Sequence, residues 1–235
     1  MKTILSLLTA VLMLVATASG AAPDVQPRYV TATTQGQVCS TLFKLASVNR
    51  SYIIRPYSNP GNVAVLTGID FDPRISGISD TERLALLRMY ACQLTGDLTT
   101  RQDMQPLGAY YVQPIGNYVN DALELFPTSG FGAISTLVTA SKQQSCLDAL
   151  NLANRSHRND LIVRSFISGT GLVNYTAVVG DTWRYSLSDV ERIATLYALQ
   201  CYAAGGPGGR QDMILQSAQT GEVVGRFINS VMELY

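Results

Sequence analysis

The tetrapeptide Arg-Gln-Asp-Met occurs twice in this chain, at residues 101–104 and again at 210–213. An arginine guanidinium can hold a carboxylate or a phosphate through two parallel N–H donors, and a nearby aspartate can orient it or accept a hydrogen bond from a ligand. Each copy follows a predicted helix and its loop, and loops on a rigid scaffold often carry function. We therefore predict binding residues at both copies: Arg101, Gln102, Asp103, Arg210, Gln211 and Asp212.

The same tetrapeptide also has a structural interpretation. The arginine and the aspartate can pair with each other, and the buried methionine, Met104 or Met213, can fix the loop to the core. Retention of the glutamine in both copies is what keeps the binding interpretation open.

Four cysteines lie at matching places in the two halves of the chain, which is typical of disulfides in an oxidising compartment. Before the duplication, each unit had to join its own two cysteines. We therefore predict the disulfides Cys39–Cys92 and Cys146–Cys201. Each would stabilise the fold by roughly 4 kcal/mol on the chain-entropy estimate. The cysteines show no Cys-x-x-Cys spacing, and His157 is the single histidine. We therefore predict neither a metal site nor a cofactor, and a histidine-dependent catalytic triad is disfavoured.

Other residues that could do chemistry have weaker patterns. Carboxylates could support glycoside hydrolysis, but of the neighbours Asp70 and Asp72 only the latter has a counterpart, Asp181. The recurring Arg55 and Arg164 are expected to form ion pairs rather than bind anions. The tyrosines at 110–111 and the segment 183–185 could form an adhesive surface, since tyrosine, tryptophan and arginine are enriched in binding hot spots. The sequence contains no phosphate-binding loop and no Gly-x-Ser-x-Gly motif.

These residues belong to a tandem duplication. Residues 52–126 align without a gap to residues 161–235, and the second half repeats the motif Ser-Asp-x-Glu-Arg-x-Ala-x-Leu of residues 79–87 at 188–196. Such internal repeats determine the architecture of a chain. We expect a signal peptide over 1–20, a first repeat unit over 21–126 and a second over 127–235.

Each unit has the pattern of two main helices. The first carries the first cysteine and shows apolar residues at helical spacing, extended upstream through 133–138 in the second unit. The second begins at a capping box, Ser79 with Glu82 or Ser188 with Glu191, and ends near a glycine, Gly96 or Gly205. Short β-leaning segments lie between them, and 116–126 and 225–235 suggest a closing amphipathic helix. We therefore predict a mainly α fold with short β segments, with α+β as the alternative.

Composition limits the class of partner. A lysine, an apolar run and small residues at the N-terminus are typical of a secretory signal peptide, so we expect a secreted or periplasmic protein. Lys+Arg and Asp+Glu are 17 each, which disfavours nucleic acid as a partner because phosphate neutralisation needs excess positive charge. No second apolar run is long enough for a membrane span in the mature chain. The tripeptides that begin at Asn49, Asn154 and Asn174 fit glycosylation acceptors.

These features favour a secreted, non-catalytic binding protein made of two homologous disulfide-stabilised units. A second copy of a binding unit raises the effective concentration at a multivalent partner. The expected partner is an extracellular protein, a glycan or a small apolar ligand. One alternative is an extracellular carrier of a small apolar ligand, bound between helices. Another is a secreted hydrolase that depends on carboxylates.

Overall fold

A computed structural model describes residues 26–31, 34–48, 52–56, 64–68, 72, 77–108, 113–127, 134–168 and 173–235. The expected signal peptide, Asn49, Asp70 and the tyrosines at 110–111 lie outside these residues, as does the side chain of Arg55. The division into units at 126/127 stays a prediction from the sequence.

Both halves of the chain have the same order of elements, namely a strand, a helix, two strands, a helix and three strands. The first half contains β1 (Arg28–Thr31), α1 (Gln35–Ser47), β2 (Tyr52–Pro56), β3 (Ala64–Gly68), α2 (Asp80–Thr95), β4 (Met104–Leu107), β5 (Gly116–Val119) and β6 (Ala122–Leu125). The second contains β7 (Thr136–Val138), α3 (Lys142–Ser156), β8 (Ile162–Ile167), β9 (Tyr175–Val179), α4 (Asp189–Ala203), β10 (Met213–Ser217), β11 (Val223–Ile228) and β12 (Val231–Leu234), with a π-helical segment, Thr182–Ser186, before α4.

The helices begin where the sequence predicts them. At α2 and α4 the serine side chain accepts from the third backbone N–H of the helix, while the glutamate reaches back to the serine N–H, so both predicted capping boxes are present. Helix α2 ends at Gly96 in the left-handed conformation, with a φ of 87°. Local hydrogen bonds satisfy helix ends in this way, which is why short motifs locate them well.

The strands form two six-stranded sheets, in the orders β2-β3-β4-β5-β6-β7 and β8-β9-β10-β11-β12-β1. In each sheet one pair is parallel, β3 with β4 and β9 with β10, and the others are antiparallel. Strand β1 pairs with β12, so that Arg28 faces Leu234, and β7 pairs with β6, so that Val138 faces Leu123. Each repeat therefore completes the sheet of the other with its first strand.

The predicted closing helices are wrong: 116–126 and 225–235 form the antiparallel hairpins β5–β6 and β11–β12. Each hairpin turns through two residues with positive φ, Asn120 and Asp121 at 51° and 64°, and Asn229 and Ser230 at 51° and 63°. Two such residues make the tight turn whose twist suits paired strands. The alternation of buried and less buried residues along β5 has a period of two, which the helical interpretation overlooked.

The mainly α fold class is also wrong, because the chain is an α+β protein with two six-stranded sheets. The predicted extension of the first helix of the second unit upstream through 133–138 is also wrong, since Thr136–Val138 is strand β7. A three-residue edge strand pairs with residues far away in the sequence, so local spacing gives little indication of it.

Both predicted disulfides are present. Cys39–Cys92 joins α1 to α2, and Cys146–Cys201 joins α3 to α4, each with a Cα–Cα distance of 5.9 Å. Helices α1 and α3 pack against each other, and each also packs against both α2 and α4. One hydrophobic core runs through the helices and strands of both repeats. Among the described residues, none of the helices is both long and apolar enough to cross a membrane.

Candidate binding site

A cavity of about 810 Å³ opens between the two repeats. It lies at the N-terminal ends of α1 and α3 and the C-terminal ends of α2 and α4, and both disulfides line it. The loops that follow α2 and α4 and the turns of the two hairpins complete its wall. Ligand sites in proteins are usually concave and of roughly 300–1,000 Å³, with mostly apolar walls and a few polar groups. The cavity matches that description in size, and it exists only because the two repeats pack together.

Apolar side chains of the helices form much of the cavity wall. Val38, Leu42 and Met89 are each less than 10% exposed, and small alanines on α2, α3 and α4 widen the space. Because apolar surface gains roughly 25 cal/mol per Å² when it leaves water, this wall favours a ligand with an apolar part.

The Arg-Gln-Asp-Met segments border this cavity, with Arg101, Gln102 and Arg210 among its lining residues. Within each segment the arginine and the aspartate form a two-pronged ion pair, with Nε–Oδ1 distances of 2.9 Å for Arg101–Asp103 and 3.0 Å for Arg210–Asp212. Met104 and Met213, which begin β4 and β10, are 2% and 0% exposed. The contacts of the structural interpretation are therefore present.

The aspartates of these segments also hold the hairpin turns. Asp103 Oδ1 accepts from the backbone N–H of Asn120 at 3.4 Å, and Asp212 Oδ1 accepts from that of Asn229 at 3.1 Å. The pKa of Asp103 and that of Asp212 are lowered, mainly by the hydrogen bonds from the adjacent arginines. The two glutamines donate to the backbone carbonyl of the following aspartate at 3.1 Å. Whether these six residues contact a ligand stays a prediction.

Within the first repeat, a charged network reaches the cavity from α2. Arg88, which is 9% exposed, donates from Nε and Nη2 to the carboxylate of Asp121 at 2.8 and 3.1 Å. It also donates to the hydroxyl of Ser145 and the carbonyl of Ser141, both in the second repeat. Tyr118 donates its hydroxyl proton to Asp121 at 2.8 Å, and burial followed by this carboxylate raises the pKa of Tyr118. The network thus satisfies its own charges.

The second repeat presents different residues at the equivalent place on α4. Tyr197 occupies the position of Arg88, and Gln200 that of Ala91. The ring of Tyr197 packs edge-on against Phe227, with 5.4 Å between the ring centres. Gln200 is 5% exposed and donates from Nε2 to the carbonyl of Gln211 at 3.4 Å. None of the four residues at these two helix positions is among those predicted from the sequence, although the aligned repeats differ there.

Two further charged groups line the cavity, Asp97 in the loop after α2 and Lys142 at the start of α3. Asp97 accepts hydrogen bonds from the backbone N–H groups and hydroxyls of Thr99 and Thr100, and these bonds, the Thr100 hydroxyl first, lower its pKa. Lys142 donates from Nζ to the carbonyl of Leu98 at 3.0 Å. A carboxylic acid that acts as a general acid needs a raised pKa, so Asp97 does not suit that role.

Several other sequence candidates lie away from the cavity. Trp183 is 1% exposed and donates from Nε1 to Thr195, so its expected role in an exposed adhesive surface is wrong. Asp72 is buried and Asp181 is exposed, and neither lines the cavity. Arg164 lies over the ring of Phe166 at 5.7 Å, outside the cavity.

The remaining polar candidates have local contacts. The amide of Asn154 donates to Ile162 O and accepts from Ile162 N, so both of its polar atoms hold the start of β8. Asn174 accepts from Gln211 through its side chain. His157 follows α3 and contacts the carbonyl of Ala153 through Nδ1 at 3.0 Å. Among the residues that the structure describes, no group of three histidine, cysteine, aspartate or glutamate side chains could hold a metal ion.

Comparison of the chain with protein-family models, with curated proteins and with solved structures finds no match. The cavity and its contacts are therefore the basis for any functional conclusion. The two disulfides are consistent with an extracellular protein.

Proposed function

We propose that this is a secreted, non-catalytic binding protein that holds one small, partly apolar ligand in the cavity between its repeats. The observation that carries the proposal is the cavity of about 810 Å³, which both repeats line with matching segments. The sequence suggested either a general binding protein or a carrier, and the cavity favours the carrier. Duplication supports this function because each repeat supplies half of the wall.

The hydrolase alternative has less support. Of the carboxylates in the cavity wall, Asp121 pairs with Arg88 and Tyr118, and Asp97 accepts bonds from four donors in its own loop. Both are held by neighbouring groups rather than directed at a substrate. A binding function needs neither group to change its protonation state.

Native mass spectrometry of the protein purified from its own secretion tests the proposal. A single adduct of a few hundred daltons in 1:1 ratio is expected, released when the protein is denatured. The mass of the polypeptide should lie four hydrogens below that of the reduced chain, since two disulfides are present. A protein free of any adduct that also fails to bind a small apolar probe would contradict the proposal and favour a macromolecular partner.

A cavity-filling variant makes this test specific. Ala198→Trp places a large side chain in the wall formed by α4, and Ala149→Phe does the same from α3. Both should lose the adduct. The control is Ala218→Trp on an exposed position outside the cavity, which should keep it. Circular dichroism of each variant establishes that the fold is retained.

A further inference from the structure

The charges around the cavity are neutralised within the protein. Arg101 and Arg210 border the opening, but each forms a two-pronged pair with an aspartate of its own segment. Arg88 is held by Asp121, and the remaining cation, Lys142, is accompanied by the carboxylate of Asp97 in the same wall. A charged ligand would have to leave water, and three of the four cations in the wall are already held by carboxylates, which makes its burial costly. The wall therefore favours an uncharged ligand.

The hydrogen-bonding groups of the two halves differ in how far they are satisfied. On α2, Arg88 makes five hydrogen bonds, to Asp121, Ser141 and Ser145. On α4, Gln200 makes one long hydrogen bond through its nitrogen, and its Oε1 accepts none from the residues that the structure describes. The Tyr197 hydroxyl likewise has no hydrogen bond within the described part of the chain.

These two groups lie on one face of α4. Residues three apart on a helix are neighbours, with their Cβ atoms roughly 5–6 Å from each other. Gln200 as a whole is 5% exposed and lines the cavity, and its Oε1 is not one of the fully buried atoms that lack a partner. An acceptor in a cavity wall without a partner in the protein is open to a ligand, and a ligand that donates a hydrogen bond to it takes the place of water.

We propose that the ligand is an uncharged amphipathic molecule with at least one hydroxyl or N–H donor, held by Gln200 and Tyr197 of the second repeat. Its donor is shared between two acceptors, Oε1 of Gln200 and the oxygen of the Tyr197 hydroxyl, which lie one helical turn apart on α4. Its apolar part lies against Val38, Leu42 and Met89. This inference rests on the proposed function, because it assigns the chemistry of the ligand in the same cavity.

Two fluorescent probes of matched shape test the inference. N-phenyl-1-naphthylamine is uncharged and has one N–H donor, and 8-anilino-1-naphthalenesulfonate carries the same rings and N–H with an added sulfonate. Titration of the ligand-free protein should show saturable 1:1 binding of the uncharged probe, at least about tenfold tighter than that of the sulfonate. Tighter binding of the sulfonate would overturn the assignment of an uncharged ligand.

Variants on α4 locate the contact. Gln200→Met keeps the length of the side chain and removes the acceptor, and Tyr197→Phe removes a single oxygen. Each should weaken binding of the uncharged probe about five- to tenfold, as the loss of one hydrogen bond does. The matched controls, Gln219→Met and Tyr185→Phe, alter exposed residues outside the cavity and should bind the probe as the native protein does.

The outcomes separate the two proposals. Binding of the uncharged probe that neither α4 variant changes, although the cavity-filling variant Ala198→Trp abolishes it, would overturn the role of Gln200 and Tyr197 and leave the proposed function intact. No saturable binding of either probe, together with a native protein free of any adduct, would overturn both. Tyr197→Phe changes one exchangeable hydroxyl, so it remains informative if Gln200→Met does not fold.

Discussion

The two halves of the cavity use the same helix positions for different purposes. In the first repeat, Arg88 closes a network with Asp121 and with Ser145 across the interface between repeats. In the second, Tyr197 and Gln200 leave hydrogen-bonding groups unused beside an apolar wall. The first half therefore joins the repeats, and the second half carries the residues that we propose bind the ligand.

The features that stay the same in both repeats lie around this difference. Each repeat keeps its disulfide, its capping box, its Arg–Asp pair and its two-residue hairpin turn. Gly116 and Gly225 also recur, because a Cβ at either position would lie 2.3 Å from a carbonyl oxygen of the adjacent strand. The two repeats therefore share these features of the scaffold, while Arg88 and Tyr197 differ at matching positions in the cavity wall.

Removal of either disulfide should have the largest effect and should affect the two repeats equally. The bridged cysteines are 53 and 55 residues apart, so Cys39→Ala/Cys92→Ala and Cys146→Ala/Cys201→Ala should each lower the free energy of unfolding by about 4 kcal/mol. Urea unfolding of both double variants measures this. A loss of stability in only one of the two double variants would show that the repeats differ in their scaffold as well as in the cavity wall.

Loss of Arg88 should lower the stability of the protein more than the matching change in the second repeat does. Arg88→Met removes a buried guanidinium with five hydrogen bonds and leaves Asp121, which is 40% exposed, without its positively charged partner. We expect a loss of about 2–3 kcal/mol of stability. Tyr197→Phe, the matching change in the second repeat, should cost less than about 1 kcal/mol. Similar losses of stability for the two variants, measured by thermal unfolding, would contradict a structural role for Arg88 and a ligand-binding role for Tyr197.

The Arg–Asp pairs should differ by a smaller amount, according to their burial. Asp212 is 9% exposed and Asp103 is 37% exposed, while both arginines are 59% exposed. Asp212→Asn should therefore cost about 1 kcal/mol, and Asp103→Asn less, because solvent screens the more exposed pair. Lost ligand binding in a variant that stays stable would instead support the predicted binding role of these residues.

The pH dependence of stability tests the Arg210–Asp212 ion pair. Since the folded-state pKa of Asp212 is lowered, the stabilisation from its ion pair is complete above the ordinary aspartate range, near pH 4, and is lost as the pH falls through the lowered value. The native protein should lose stability between about pH 5 and pH 2 more steeply than Asp212→Asn does. Equal slopes for the two proteins would show that this carboxylate is not stabilised on folding.

Much of the candidate site could not be predicted from the sequence. Arg-Gln-Asp-Met was found because it recurs, yet recurrence marks shared structure as readily as shared function, and the structure shows contacts that hold a loop and a hairpin turn. Gln200 and Tyr197 were missed because they do not recur. Their position becomes meaningful only when α4 lies beside the first repeat.

The local and covalent features of this protein follow from its amino-acid sequence. A duplicated chain with one cysteine pair per copy predicts the disulfides, and a serine three residues before a glutamate predicts the start of a helix, because each pattern depends on near neighbours. Tertiary structure alone decided that β1 and β7 exchange sheets and that the repeats enclose a cavity. Strand pairing and cavities join residues far apart in the chain, so burial and backbone hydrogen bonding across the whole molecule select them.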